Sequence, residues 1–174
     1  RAAVDGEVIR YRLVQRHSAI TMDDDIITRR ARPEDIPVLC DLLEDLFTIE
    51  TDFAPDVEKQ VKALSMLLTG PPDSSLVLVA VKEGKVVGMV FVQTLVSTAE
   101  GGKVGLVEDM IIDREFRRRG IGTLLLNHAV EWGRNRKLKR LQLLADRENT
   151  PAVDFYARNG WTTTKLGCLR MLLT

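Results

Sequence analysis

Apolar positions along the chain follow two rhythms. In 26–31, 75–82, 86–96 and 103–112 they alternate or run unbroken, as in "LVLVAV" (76–81) and "VVGMVFV" (86–92), which predicts strands. "KEGK" (82–85) reads as the turn joining the second and third of these. Elsewhere the period is helical. Pro33, Glu34 and Asp35 open a helix with proline in its first turn and acids at its positive dipole end. Ile36, Leu39, Leu43, Leu46 and Phe47 carry one apolar face to about residue 51. A second helix follows Pro55, with Val61, Leu64, Leu67 and Leu68 on one side, and "GPP" (70–72) stops it. A third runs from near Gly120 to about Arg136, a strand takes "RLQLLA" (140–145), and a fourth helix starts at "NTP" and ends before Gly160. "WTTTKLGCLRMLL" (161–173) is expected to close the chain as one or two strands.

The order strand, two helices, three strands, helix, strand, helix, strand is a mixed α/β pattern. A meander is expected in the three-strand stretch, and the later helices imply crossovers. Residues 1–25 fit this scheme poorly: "GEVIRYRLV" suggests a strand and "TMDDD" (21–25) a solvated linker. They are read as an extension, and 26–174 as one domain.

Composition adds bounds. The chain has 174 residues, enough for a single sizeable core. Its 25 Lys and Arg balance 25 Asp and Glu, so net charge argues for neither nucleic acid nor membrane. No apolar run is long enough to span a bilayer, no signal-peptide pattern opens the sequence, and a cytoplasmic location is the expectation. Cys40 and Cys168 show no CxxC spacing and are expected to be buried free thiols. His17 and His128 fall in no ligand pattern, so no metal is expected.

Charge is uneven along the chain. Residues 113–140 hold nine Lys or Arg against three acids, whereas 29–80 hold five against ten. The basic stretch contains "EFRRRGIGTLLL" (115–126), a strand-to-helix junction with Arg117, Arg118 and Arg119 before Gly120 and Gly122. Cations at a helix N-terminus oppose its dipole unless an anion binds there. Glycines let a ligand approach backbone N–H groups that have no helical partner. The junction is therefore a candidate phosphate site. It lacks the lysine and hydroxyl of a nucleoside-triphosphate loop, and Leu125 stands where a dinucleotide fingerprint requires its third glycine. What remains is R-x-x-G-x-G. Downstream, "NTPAVDFYARNGW" (149–161) supplies Asn149, Ala152, Phe155, Tyr156, Gly160 and Trp161.

These two motifs, in this order and with a strand between them, resemble those of the GNAT superfamily of acetyl-CoA-dependent N-acetyltransferases, over roughly residues 26–174. The resemblance implies a single domain whose central sheet is mixed, mostly antiparallel and twisted. Helices flank it, and a splayed strand pair holds the cofactor. It implies acetyl-CoA as co-substrate and a primary amine as acceptor, joined by direct attack in a ternary complex. Backbone groups of Arg118, Arg119, Gly120, Ile121, Gly122 and Thr123, with Arg117, would cradle the pyrophosphate. Met110, Ile111 and Ile112 would pair with the pantetheine arm as a strand does. Asn149, Ala152 and Tyr156 would flank the arm on its other side.

Acetyl transfer must take a proton from the amine and return one to the departing sulfur. By the resemblance Tyr156 is the acid; pattern alone favours a core aromatic beside Phe155. Glu108 is the candidate base. Regular alternation would place it with Leu106, Met110 and Ile112, where apolar surroundings raise a carboxyl pKa. Asp109 is the alternative, and pairing to an arginine is the bland role for Glu108. The first two helices and the loop "QTLVSTAEGGK" (93–103) are expected to hold the acceptor. The acidic excess in 29–80 suggests a cationic one. Family members often pair, so a homodimer is expected. Two other functions compete: an acyl-CoA-binding sensor or scaffold without catalysis, and a nucleic-acid binder on the 117–140 surface. Zero net charge and 5% aromatic residues count against the latter.

Overall fold

In the computed structural model, which describes residues 25–50 and 52–173, the sheet order is β1-β2-β3-β4-β5. The strands are β1 (Ile26–Arg30), β2 (Ser75–Lys82), β3 (Lys85–Ser97), β4 (Gly102–Ile112) and β5 (Leu141–Leu143). β1 to β4 pair antiparallel. The β2–β3 hairpin turns on Glu83 (φ 50°) and Gly84 (φ 79°). Two consecutive positive φ values match the right-handed twist of the flanking strands, and glycine accepts one without strain.

Helices α1 (Ile36–Ile49) and α2 (Val57–Thr69) precede β2; α3 (Ile121–Asn135) joins β4 to β5; α4 (Thr150–Arg158) follows. The chain divides into two units, one ending at Gln142 and the other beginning at Leu143. In the first, Leu39, Leu43 and Leu46 of α1 and Leu64 of α2 pack on Val77, Val79, Met89, Phe91 and Ile111. Alternation sends Leu78, Val90 and Val92 to the opposite face, and α3 contacts β2, β3 and β4 through buried residues such as Leu124 and Leu125. Both faces are covered, which is why β2 reads as an unbroken apolar run.

A bidentate pair fixes the entry to α1. Arg29 Nη1 and Nη2 donate to the Asp35 carboxylate at 2.6 and 2.8 Å, and the Arg32 amide donates to it at 2.7 Å. Hydrogen bonding from Arg29 is the main cause holding the Asp35 pKa below its usual value. Asp56 caps α2 by accepting from the Lys59 amide at 3.1 Å.

Three expectations need correction. Residues 161–173 form no strand, and Leu169 and Leu173 are 100% and 93% exposed. They join no ladder among the described residues, and a strand without a partner is not stable. Cys168 lies there and is exposed; only Cys40 is a buried thiol, and both are free. β5 keeps three residues of the six expected, so it pairs beside only the start of β4, where the Gly105 amide donates to Arg140 O at 2.9 Å. The strand proposed in 6–14, the 21–24 portion of the acidic linker and His17 lie outside the described residues.

Candidate active site

The site begins with an irregularity in β4. Val92 faces Val107 and Val90 faces Met110, so Phe91 alone spans Glu108 and Asp109. This β-bulge inserts one residue and reverses which side of the sheet each preceding residue faces. Leu106 opposes Gln93 while Met110 and Ile112 oppose Val90 and Gly88, so Leu106 and Met110 lie on opposite faces. The regular alternation expected for Glu108 is therefore absent, and Glu108 is exposed. Asp109 instead lies two residues before Ile111, on the side of the α1–α2 core. It is partly buried, and its carboxyl is pushed up to about 7, first by burial and then by the charges of Glu108 and Glu50. Glu50 ends α1. Sequence reasoning held Asp109 only as an alternative, because a bulge leaves no mark in the apolar pattern.

Beyond β4 the chain makes a braced loop. Asp113 Oδ1 accepts from the Glu115 amide at 2.9 Å, and Arg114 pairs with Asp45 of α1 at 3.5 Å. Arg117 Nε donates to Ile112 O at 2.8 Å and Arg119 Nη2 to Glu115 O at 3.0 Å. The Arg119 guanidinium also lies 5.3 Å from the centre of the Phe116 ring. Two of the three arginines thus turn back onto their own loop, which lessens their conflict with the helix dipole. Arg118 has φ 61° and Gly120 φ 80°. Gly120 opens α3 with no side-chain cap, and the Leu124 amide makes the first turn's bond to Gly120 O at 3.0 Å. The amides of Ile121, Gly122 and Thr123 come before that bond, at the positive end of a 15-residue helix. That set of donors fits a pyrophosphate: backbone N–H groups, a dipole, and glycine at the closest approach.

In the second unit, Asn149 Oδ1 accepts from the Ala152 amide at 3.2 Å and so caps α4. Tyr156 contacts Phe155 edge-on at 5.3 Å between ring centres and Trp161 at 6.0 Å. The Trp161 amide donates to Tyr156 O at 3.0 Å, folding "NGW" back on the helix end. The motif is thus a capped helix whose aromatic residues hold one another.

Comparison with known proteins bears on both units. A family model described as the acetyltransferase (GNAT) family matches residues 38–161. The chain belongs to the GNAT family. Among curated relatives, an uncharacterized N-acetyltransferase of Archaeoglobus fulgidus is 32% identical over 131 residues, covering 74% of this chain and 88% of that protein. An uncharacterized N-acetyltransferase of Methanocaldococcus jannaschii is 36% identical over 92 residues, 51% of this chain and 41% of the relative's length. Streptothricin acetyltransferase A of Bacillus subtilis is 35% identical over 54 residues, 31% of each chain. The matched stretch thus spans less than half of these last two. The fold is shared with a possible acetyltransferase of Clostridium difficile, at TM-score 0.75 and 19% identity, covering 86% of this chain and 98% of that one. It is shared also with a soil-metagenome aminoglycoside acetyltransferase, at TM-score 0.71 and 22% identity over 87% and 99%.

Other polar groups have structural employment. His128 Nδ1 bonds the buried Thr28 hydroxyl, and burial lowers the imidazole pKa. Among the described residues no helix is long and apolar enough to cross a membrane, and no group of three or more His, Cys, Asp or Glu could hold a metal.

Proposed function

We propose that this GNAT protein moves the acetyl group of acetyl-CoA to a primary amine in a ternary complex. One observation carries the reading: a carboxyl of pKa about 7 on the bulge of β4, whose strand leads into a glycine-opened, uncapped helix. Acetyl-CoA supplies an activated thioester. The amides of residues 118–123 bind its pyrophosphate, and those of Met110 to Ile112 pair with the acyl arm. One of these N–H groups polarises the thioester carbonyl.

An alkylammonium has a pKa near ~10.4 and must be deprotonated before it attacks. Asp109, rather than the exposed Glu108, is the proposed base, because a base with a pKa near the working pH is both ionised and able to hold a proton. The nitrogen then bonds to the carbonyl carbon, the carbon–sulfur bond breaks, and Tyr156 gives its proton to the sulfur; the nitrogen's second proton leaves through solvent and restores the Tyr156 phenol. Glu108 and Glu50 both lie within electrostatic reach of Asp109, and the three acids favour a cationic acceptor. An aminoglycoside acetyltransferase among the structural neighbours is consistent with that class.

Thermal stabilisation by acetyl-CoA tests the first half: at about 100 times the dissociation constant it should add roughly 2.7 kcal/mol. No shift at millimolar acetyl-CoA would refute acyl-CoA binding. A panel of amines with detection of released thiol tests the second half. Binding without thiol release from any amine would leave a non-catalytic acyl-CoA sensor.

A further inference from the structure

The other end of α3 carries a second feature that acetyl transfer does not use. A cavity of about 410 Å³ is lined by Asp73, Lys103, Asn135, Arg136, Lys137 and Leu138. Its floor is the turn that ends α3, where Lys137 has φ 56° and the Leu138 amide donates to Gly133 O at 2.9 Å. The Lys139 amide donates to Lys103 O at 2.9 Å and ties that turn to β4. With 15 residues in α3, at about 1.5 Å each, this cavity stands about 22 Å from the glycine loop.

Cations near a helix C-terminus are ordinary, since they complement its dipole. Two features here exceed that role. Arg30, at the end of β1, is close enough to Arg136 for the two guanidinium charges to repel, and it donates to Pro72 O at 3.2 Å. The one acid lining the cavity, Asp73, is mostly exposed and cannot balance Lys103, Arg136 and Lys137. Second, buried donors lack acceptors. Arg136 stacks over Trp132 at 4.6 Å, and the Trp132 Nε1 is buried with no partner. Arg136 Nε lies 3.3 Å from Asp73 Oδ1 as an ion pair, but without hydrogen-bond geometry. Buried N–H groups are seldom left unpaired, and like charges are seldom gathered without a counterion.

We propose that this cavity binds a small, multiply charged oxyanion of the phosphate type. Its volume is that of a small-molecule site. The Arg136 guanidinium and the Lys103 and Lys137 ammonium groups offer what a phosphate or diphosphate accepts. The proposal is independent of the acetyl-transfer reading and concerns a separate site.

Trp132 reports on it directly. The chain has two tryptophans, so Trp161→Phe leaves Trp132 as the sole emitter. Titration with inorganic pyrophosphate at constant ionic strength should change its emission saturably. Lys103→Glu with Lys137→Glu, both exposed positions, should weaken binding by about tenfold or more. Lys62→Glu, an exposed charge reversal on α2, should leave it unchanged. The proposal is overturned by no saturable change at millimolar pyrophosphate, by an equal response to sodium chloride, or by a response that the paired variant does not alter. A response to a short DNA duplex with none to pyrophosphate would overturn it too, in favour of a nucleic-acid surface.

Discussion

Substitution of Asp109 tests stability, pH dependence and the proposed role of base together. Its carboxyl titrates at about 7 in the folded chain against 3.8 for an ordinary aspartate. A carboxyl raised on folding contributes fully below the unfolded pKa, where it is protonated in both states. Between the two values the folded state holds a proton that the unfolded state has lost, so stability falls as pH rises. Above about 7 the folded protein carries the whole cost of a half-buried anion beside two others. At about 1.36 kcal/mol per pKa unit the ceiling is about 4 kcal/mol. Solvent reaches part of the side chain, so a gain of about 1–3 kcal/mol is expected for Asp109→Asn at about pH 8, and almost none at about pH 4.

Urea unfolding of both proteins across that range measures it, and the difference curve cancels groups they share, including Asp35. Glu50→Gln should move the midpoint of that curve to lower pH, since it removes one of the charges that raises Asp109. The rate should follow the same group: kcat/KM is expected to rise with pH through about 7 in the wild type and to collapse in Asp109→Asn. Parallel stability curves for wild type and Asp109→Asn would refute the raised carboxyl. Full turnover in Asp109→Asn would remove it from the mechanism and return the role of base to Glu108.

Tyr156→Phe should lower turnover by about 10²-fold or more while leaving acetyl-CoA-induced stabilisation almost intact, as steady-state kinetics and thermal melts will show. Gly120→Ala forces a side chain onto φ 80° and should cost about 1 kcal/mol in urea unfolding, with weaker acetyl-CoA binding in the same titration. Arg29→Ala strips a bidentate partner from the buried Asp35 and should cost about 1–3 kcal/mol at neutral pH. Because the Asp35 pKa is lowered on folding, that penalty should shrink as pH falls through the folded value. Gly105→Ala would set a Cβ 3.2 Å from Val92 Cγ1 and 3.2 Å from Leu138 Cδ1; a loss of about 1–3 kcal/mol in urea unfolding is expected.

The helices and the meander were legible because burial imposes a period. α1 must turn Leu39, Leu43 and Leu46 to one side, and β2 must be apolar throughout when both its faces are covered. The same logic misled at 161–173. Leu166, Leu169, Met171 and Leu173 have the composition of a strand, yet strand formation depends on a neighbour to pair with, and pairing is not a property of the segment. The arginine junction was half legible. Its opposition to the dipole pointed to an anion, but the bonds from Arg117 to Ile112 O and from Arg119 to Glu115 O depend on how the loop folds over itself.

The candidate base shows why such failures gather at the site. In a regular strand Glu108 and Asp109 would point to opposite faces, and the apolar pattern would decide between them. One extra residue opposite Phe91 breaks that rule, so the choice rests on a ladder contact between β3 and β4 that neither segment encodes alone. The carboxyl held near neutrality sits on that irregularity. Such a group is costly to the fold, because it is a poorly solvated charge. Stabilising it should cost function. Asp109→Asn is therefore expected to be the more stable and the less active protein, a pairing that an incidental acid on the sheet would not produce.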